Sequence, residues 1–178
     1  MTTAVPLAAS PLVAGHLSLA PDGPALDVAC GGGRHALLIA RTGRAVDAVD
    51  RDVARCLALS RAAARQHLPL HVVCADLEQF PLPRRRYAVV VNTLYLDRRL
   101  VPQLADALVP GGLLLFETFV IEQLATGHPR NPAFVLGPNE LLQLVPGLRV
   151  LAYREGPVDR GGTTVHLASL AARAPVSP

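Results

Sequence analysis

Several residue types are missing or scarce in this chain of 178 residues. It contains no lysine and no tryptophan, and its aromatic residues are four phenylalanines and three tyrosines. Nucleic-acid-binding surfaces usually combine basic patches with aromatic residues, and the one basic cluster here is Arg84–Arg86, between Pro83 and Tyr87. Such a short cluster is typical of a solvated loop. With a formal net charge of only +3, the sequence predicts no nucleic-acid partner.

Long hydrophobic runs are also absent. No apolar stretch reaches the roughly 18 residues that a membrane span requires, so we expect no membrane partner. A secretory signal peptide begins with a basic region, whereas the first arginine of this chain is Arg34. We therefore expect a cytoplasmic protein. Apolar residues make up 51% of the chain and charged residues 17%, a balance typical of a compact globular domain.

Cysteine is scarce and forms no recognisable pattern. Cys30, Cys56 and Cys74 are odd in number and include no C-x-x-C pair. This argues against a disulfide framework and against a structural zinc site. We therefore predict buried, reduced thiols with no redox role, and no metal site.

The chain does contain apolar runs that alternate with helix-like segments. The predicted strands cover residues 25–29, 45–49, 70–75, 87–91, 113–119, 148–154 and 163–170. The predicted helices cover residues 12–19, 34–41, 53–65, 100–108 and 140–145. Ser10, Asp52 and Asn139 are the predicted N-caps of the first, third and last helix.

This order of elements predicts an α/β fold. Five strands alternate with helices and the last two form an antiparallel hairpin, which is typical of a doubly wound, mostly parallel sheet with right-handed crossovers. We expect one structural domain overall, which consists of an N-terminal helix and cap segment, residues 1–24, and the sheet-containing domain, residues 25–178.

A glycine-rich turn, Gly31–Gly33, follows the first predicted strand. Glycines let the backbone approach a ligand closely and present its N–H groups. The spacing Gly31-x-Gly33-x-x-Ala36 also satisfies the dinucleotide-binding fingerprint, which accepts alanine at the last position. Because ligands of open α/β sheets bind at the carboxyl ends of the strands, the residues that follow the strands are the candidate binding residues.

Acidic residues end the second and third predicted strands. Asp50 lies 19 residues after Gly31, and a carboxylate there can accept hydrogen bonds from both hydroxyls of an adenosine ribose. Helix capping is the alternative role, but Asp52 already provides the cap. Asp76, followed by Leu77, can accept a hydrogen bond from the exocyclic amine of an adenine. An ordinary loop aspartate is the alternative at that position.

Together these features resemble the class I S-adenosylmethionine-dependent methyltransferases. The segment Leu26–Gly33 is similar to the first motif of that family, D-x-(G/A)-x-G-x-G, with Ala29 in place of the usual first glycine. Asp50 matches the family's ribose-binding acid, and Asp76 its adenine-contacting position. Leu108–Gly112 resembles the L-x-P-G-G turn that enters the fifth strand.

Two shorter matches resemble one branch of that family. The Gly33-Arg34-His35 opening of a helix and the segment Glu140–Leu142 are similar to the small tellurite-resistance-type methyltransferases. The resemblance implies a Rossmann-like seven-stranded sheet ordered 3-2-1-4-5-7-6, with S-adenosylmethionine as the cofactor. It also implies SN2 displacement of a methyl group to a small-molecule acceptor, so that the protein mainly aligns the reacting groups.

The resemblance also implies which residues hold the cofactor. Gly31 and Gly33 would pass under its methionine part, Arg34 could pair with its carboxylate, and Asn92 faces the methyl-donor end. A surface arginine and an ordinary strand-end asparagine are the alternatives for the last two. The predicted cofactor-binding set is Asp27, Ala29, Gly31, Gly33, Arg34, Asp50, Arg51, Asp76, Leu77 and Asn92.

The acceptor pocket has to be built without a separate substrate domain. We expect its walls to come from the segment around His16, from residues 93–97 and from the irregular stretch 119–137. Long loops with little regular structure are usually functional or disordered.

Four side chains in these walls can deprotonate or orient a nucleophile. Tyr95, Glu117 and Arg130 are the predicted catalytic residues, whereas His128 is more typical of an exposed loop histidine. Arg130 with Asn131 can bind an anion, which fits a small acidic acceptor or a metalloid oxyanion.

Two other functions fit part of the pattern. A nicotinamide-dependent oxidoreductase would use the same glycines, but the chain lacks room for a catalytic domain and ends in a hairpin instead of a sixth parallel strand. A non-catalytic cofactor-binding subunit that stabilises a partner is the second alternative, because no catalytic base is obvious. The sequence also leaves a homodimer open.

Overall fold

A computed structural model of the chain describes residues 8–176. Parts of the predicted terminal segment and domain, residues 1–7 and 177–178, lie outside the described residues. None of the helices between residues 8 and 176 combines the length and the apolar character that crossing a membrane demands.

Seven strands of the described chain form a single sheet. They are β1 Ala25–Val28, β2 Val46–Asp50, β3 Leu70–Cys74, β4 Tyr87–Thr93, β5 Leu108–Phe119, β6 Arg149–Asp159 and β7 Thr164–Arg173. The order across the sheet is β3-β2-β1-β4-β5-β7-β6. Strands β1 to β5 run parallel, and β7 lies antiparallel between β5 and β6. The predicted doubly wound sheet with a terminal hairpin is confirmed.

Between residues 8 and 176, five α-helices and three short 3-10 turns connect or flank these strands. The helices are α1 Pro11–His16, α2 Arg34–Ala40, α3 Val53–Arg65, α4 Val101–Asp106 and α5 Glu140–Leu144. The 3-10 turns are Leu17–Leu19, Ile121–Thr126 and Pro132–Phe134. Two predicted caps are confirmed: the Ser10 hydroxyl accepts a hydrogen bond from the Leu12 N–H at 3.2 Å, and the Asp52 carboxylate accepts one from the Arg55 N–H at 3.1 Å.

The predicted cap at the start of α5 is wrong. Asn139 has a φ of +56°, and its side chain makes no capping hydrogen bond. Instead, the Glu140 carboxylate accepts a hydrogen bond from the Gly137 N–H at 2.7 Å. The N–H of Asn139 donates to the Glu155 carboxylate at 3.0 Å. Neighbouring acids therefore satisfy N–H groups at this helix start without a capping side chain.

Apolar layers cover both faces of the sheet. On one face Val28 and Val90 pack with the layer that contains Leu104 of α4. On the other face Val89 packs with the layer that contains Ile39 of α2 and Leu59 of α3. The continuous apolar runs of β1 and β4 predict strands buried on both faces, and both are buried along nearly their whole length.

Strand β5 begins earlier than predicted, at Leu108 instead of residue 113. The predicted turn residues at 110–112 belong to the strand. A Cβ at Gly112 would lie 2.9 Å from the Val109 carbonyl oxygen and 3.1 Å from that of Tyr87. Glycine therefore serves here to let two backbone segments approach each other, and not to end a helix.

The three cysteines are free thiols. Cys30 and Cys56 are buried, as predicted, but the prediction is wrong for Cys74, which is exposed. Cys74 ends β3, and β3 is the edge strand of the sheet, so one side of that strand has no neighbouring strand to cover it.

Buried His35 connects the N-terminal segment to the sheet. Its Nε2 accepts a hydrogen bond from the Ser10 N–H at 3.0 Å, and its Nδ1 lies 3.2 Å from the Thr93 hydroxyl. Burial, together with the charges of Arg34 and Arg160, lowers the pKa of His35 to about 4, so the ring is neutral at neutral pH. Because a backbone N–H can only donate, the ring proton lies on Nδ1 and is donated to Thr93.

Candidate active site

One cavity of about 710 Å³ lies along the carboxyl ends of the parallel strands. Its β2–β3 half is lined by Asp50, Arg51, Asp76 and Leu77, among others. Its β4–β5 half is lined by Leu94, Tyr95, Leu96, Asp97, Arg98, Arg99, Phe119, His128, Pro129, Ala133 and Phe134. Ala29, which follows β1, lies between the two halves in the strand order. Of the predicted site residues, the fold brings Ala29, Asp50, Arg51, Asp76, Leu77 and Tyr95 to a common space. Gly31, Gly33 and Asn92 are not part of its lining.

Asp50 joins the end of β2 to the glycine turn. Its Oδ2 accepts a hydrogen bond from the Gly31 N–H at 2.7 Å, and its Oδ1 accepts one from the Asp52 N–H at 2.9 Å. A carboxylate has about four acceptor positions, so two remain for a ligand. Because Asp50 also lines the cavity, this acid can position the turn and bind a ligand at the same time.

The turn after β1 depends on left-handed backbone. Gly31 and Gly33 have φ values of +56° and +75°, and Ala29 has one of +50°. A Cβ on Gly33 would lie 2.2 Å from a methyl carbon of buried Leu59 on α3. Glycine is therefore required at residue 33 both for its conformation and for its contact with α3.

Asp27 is buried within β1 and does not line the cavity. Its Oδ2 accepts a hydrogen bond from the Ala36 N–H at 3.0 Å, which caps α2 because Gly33 at the N-cap has no side chain. Its Oδ1 has no partner among the described residues. Burial raises the pKa of Asp27 to about 7, although the Ala36 hydrogen bond and the Arg34 charge oppose the shift.

We expect the pH dependence of stability to report Asp27. Its pKa is about 7 in the folded protein against an ordinary 3.8, so this contribution to stability is complete below about pH 4 and is lost as the pH rises to 7. In Asp27→Asn, residue 27 no longer titrates, so this loss of stability with rising pH does not occur. The free energy of unfolding at pH 8, relative to pH 5, should then be about 2 kcal/mol higher than in the unsubstituted protein.

Urea denaturation at both pH values measures this difference. His35 changes stability in the opposite direction, since its pKa is lowered, but it does so in both proteins and cancels in the comparison. The same pH dependence with and without the substitution would show that the Asp27 carboxyl group has no raised pKa.

Asn92 and Tyr95 meet at the end of β4. The Asn92 side-chain amide donates to the Tyr95 carbonyl at 3.1 Å, and its buried Oδ1 has no partner among the described residues. Burial raises the pKa of the Tyr95 hydroxyl, and the carboxylates of Asp97, Glu78 and Asp76 raise it further. Tyr95 is therefore a protonated hydrogen-bond donor at neutral pH, suited to orient a ligand and not to deprotonate one.

The structure places several predicted residues away from the cavity lining. Glu117 is buried, forms an ion pair with Arg160, and accepts a hydrogen bond from the Ser169 hydroxyl at 2.8 Å. Arg34 donates to Nε2 of His35 at 3.2 Å, and burial, with the nearby Arg160 charge, lowers its pKa.

Arg130 and His16 also point to other partners. Arg130 is exposed and its Nε donates to the Gly127 carbonyl at 3.3 Å, while Nδ1 of His16 donates to the Leu12 carbonyl at 2.9 Å. Neither residue is part of the cavity lining. The predicted roles of Arg130, Arg34 and Glu117 thus stay predictions without support from their position.

Arg98 is a site residue that sequence reasoning missed. Its Nη2 lies 2.9 Å from the Glu140 carboxylate and 2.9 Å from the Val135 carbonyl oxygen, and its Nη1 lies 3.0 Å from the Ala133 carbonyl oxygen. Arg98 therefore holds the segment 133–140 close to the start of α4. Two residues of this segment, Ala133 and Phe134, line the β4–β5 half of the cavity. No local pattern predicts this pair, because Glu140 lies 42 residues away.

Residues 25–112 match the methyltransferase domain family. TehB from Haemophilus influenzae has a similar solved structure, with 20% identity and a TM-score of 0.78 over 97% of this chain and 63% of TehB. A SAM-dependent methyltransferase from Methanosarcina mazei has 16% identity and a TM-score of 0.75 over 96% of this chain and 100% of its own.

A third similar structure carries ligands. The geranyl diphosphate C-methyltransferase from Streptomyces coelicolor A3(2), solved with Mg²⁺, geranyl diphosphate and S-adenosyl-L-homocysteine, has 15% identity and a TM-score of 0.70 over 90% of this chain and 78% of its own. Among curated proteins, none has a sequence that matches this chain.

A sheet of this order, with a glycine turn and acids at the strand ends, defines the Rossmann-like fold of class I methyltransferases. With the family match, it identifies the chain as a class I S-adenosylmethionine-dependent methyltransferase. The protein is thus an enzyme whose cofactor is S-adenosylmethionine. At 20% identity the likeness to TehB shows the fold alone, so the tellurite-resistance-type branch stays a prediction.

Proposed function

We propose that the cavity binds S-adenosylmethionine along its β2–β3 half and a small-molecule methyl acceptor along its β4–β5 half. The observation that carries this proposal is that a single cavity extends from Asp50 and Asp76 to Phe119 and Phe134. A donor and an acceptor bound in its two halves would meet near the ends of β1 and β4, in the centre of the sheet.

The residues present fit the cofactor. Asp50 faces the cavity with acceptor positions left over for the two ribose hydroxyls. Asp76 and Leu77 lie beyond it, at the end of β3, where an adenine would bind. The buried Oδ1 of Asn92 needs a hydrogen-bond donor, and the ammonium group of the methionine part is one. The positions of Asp50 and Asp76 in the cavity lining support their predicted roles. The predicted role of Asn92 is supported by its Oδ1 alone, because Asn92 is buried and is not part of the lining.

The chemistry requires little from the protein beyond alignment. When bound, S-adenosylmethionine supplies a methyl group already activated by its sulfonium sulfur. The chain's own residues hold the two partners in one orientation and exclude water, which is how enzymes favour a bimolecular displacement. Tyr95 and His128 line the acceptor half and are polar side chains that can orient the acceptor's nucleophilic group.

The remaining predictions concern the surroundings of the protein. We propose a cytoplasmic location and the absence of a nucleic-acid partner on the grounds of composition and charge. A homodimer stays open. Residues 8–24 include α1 and the 3-10 turn Leu17–Leu19. We propose that they belong to the same structural domain, since Leu12 and Val13 are buried in the layer around α2.

Calorimetric titration with S-adenosylhomocysteine, with NAD as the parallel control, tests the proposed site. We expect micromolar binding of S-adenosylhomocysteine and no binding of NAD. Binding of NAD alone would support the oxidoreductase alternative, and binding of neither would mean that the glycine turn is structural. Tight binding of S-adenosylhomocysteine without methyl transfer to any acceptor would support the alternative that the protein is a non-catalytic cofactor-binding subunit.

A further inference from the structure

We infer that the acceptor is a neutral, aromatic or apolar small molecule and not a small anion; this inference rests on the proposed function. Beside the polar Asp97, Arg98, Arg99 and His128, the β4–β5 half of the cavity has an apolar and aromatic lining that includes Leu94, Tyr95, Phe119, Pro129 and Phe134. Aromatic residues are scarce in this chain, yet three of them lie in this half. Aromatic side chains provide large contact areas for planar apolar ligands.

Phe134 lines this half, and the residue is 54% exposed. It belongs to the 3-10 turn Pro132–Phe134 in the segment that Arg98 holds close to the start of α4. An aromatic side chain in a cavity lining provides a large apolar contact area for a ligand. Burial of Phe134 by a bound ligand would be favourable, because its ring is now largely in water.

The charges of this half are already balanced. Arg98 contacts the Glu140 carboxylate and two backbone carbonyls. Arg99 donates to both oxygens of Asp97 at 3.1 Å and lies 3.6 Å from Glu78. Both described arginines of this half, Arg98 and Arg99, therefore have a carboxylate partner. An anionic acceptor that binds Arg98 or Arg99 would therefore have to displace a carboxylate from a guanidinium, whereas a neutral acceptor would not. Arg51, whose charge opposes the rise in the pKa of Tyr95, lines the β2–β3 half, where we propose that the cofactor binds.

The predicted anion site does not reach the cavity. Arg130 is exposed and donates to the Gly127 carbonyl outside the lining. The polar group that this loop does bring to the lining is His128. A neutral imidazole can accept a hydrogen bond from an O–H, S–H or N–H group. The site therefore fits an apolar molecule that carries one such protic group, a phenol, thiol or indole for example.

Matched pairs of probes test the inference. Protein saturated with S-adenosylhomocysteine is titrated by calorimetry with para-cresol against 4-hydroxybenzoate, and with indole against indole-3-carboxylate. We expect each neutral probe to bind at least about tenfold more tightly than its carboxylate. Equal or tighter binding of the carboxylates, or no binding of the neutral probes, would overturn the inference.

A substitution in the cavity lining provides the second test. We expect Phe134→Ser to weaken binding of para-cresol and indole about tenfold and to leave S-adenosylhomocysteine affinity unchanged. The matched control is Ile121→Ser, which also replaces an exposed apolar residue, 46% exposed, but one outside the cavity lining. It should change neither affinity. Unchanged probe affinity in Phe134→Ser would contradict the inference.

The same titrations separate the two proposals. If S-adenosylhomocysteine fails to bind the unsubstituted protein, the proposed function fails. If it binds but the neutral probes do not, the cofactor site stands and only the acceptor class is wrong. Because Phe134 is half exposed, its substitution is not expected to disturb the core, and a thermal melt of each variant checks this.

Discussion

Asp50→Ala should lower the affinity for S-adenosylhomocysteine at least about 100-fold. Hydrogen bonds to a charged acceptor contribute about 1.5–3 kcal/mol each, and tenfold in affinity corresponds to about 1.4 kcal/mol. Two ribose hydroxyls bound by one carboxylate therefore account for a loss of this size. The substitution also frees the Gly31 N–H, which donates to Asp50 at 2.7 Å, so the glycine turn loses its fixed position.

Asp52→Ala is the matched control for this experiment. Asp52 lies two residues further on and caps α3 through the Arg55 N–H. Its loss should lower the free energy of unfolding by about 1 kcal/mol and leave the affinity for S-adenosylhomocysteine within about twofold. If Asp50→Ala binds as tightly as the Asp52 variant, Asp50 does not hold the ribose.

Gly33→Ala should lower the free energy of unfolding by about 2–4 kcal/mol, which is more than we expect for Asp52→Ala or Gly32→Ala. Left-handed backbone, here a φ of +75°, is unfavourable for alanine. The added Cβ would also lie 2.2 Å from a methyl carbon of Leu59. Leu59 is only 2% exposed, so its side chain cannot move aside without disturbing the core.

The neighbouring residue Gly32 supplies the comparison. A Cβ on Gly32 meets no atom within 4 Å, and its φ is not positive. Gly32→Ala should therefore change the free energy of unfolding by less than about 0.5 kcal/mol. Urea denaturation of both variants measures the difference, and equal stabilities would mean that the turn can rearrange around a side chain at residue 33.

Much of the fold could be predicted because its signals are local. The apolar runs of β1 and β4 and the caps Ser10 and Asp52 each depend on a few consecutive residues. Parallel strands then place their carboxyl ends at one edge of the sheet, so Asp50 and Asp76 could be expected to share a site before any geometry was known.

The rest depends on pairs of residues that are distant in the chain. Arg98 lies 42 residues from Glu140, and Arg160 lies 43 residues from Glu117. A charged side chain can choose among many partners over such distances, and only the folded backbone decides which is reached. The position of Glu117 at the end of a strand could therefore be predicted. Its ion pair with Arg160, which lies in the turn between β6 and β7, could not.

The contact between Arg98 and the segment 133–140 has a consequence for how an acceptor binds. Arg98 holds this segment through two backbone carbonyls and the Glu140 carboxylate, all of which are contacts within the protein itself. Immobilising a flexible side chain on binding costs about 0.5–1.5 kcal/mol, and a loop that is already fixed avoids that cost. The acceptor wall is therefore preorganised, and we expect association to involve little loss of loop entropy.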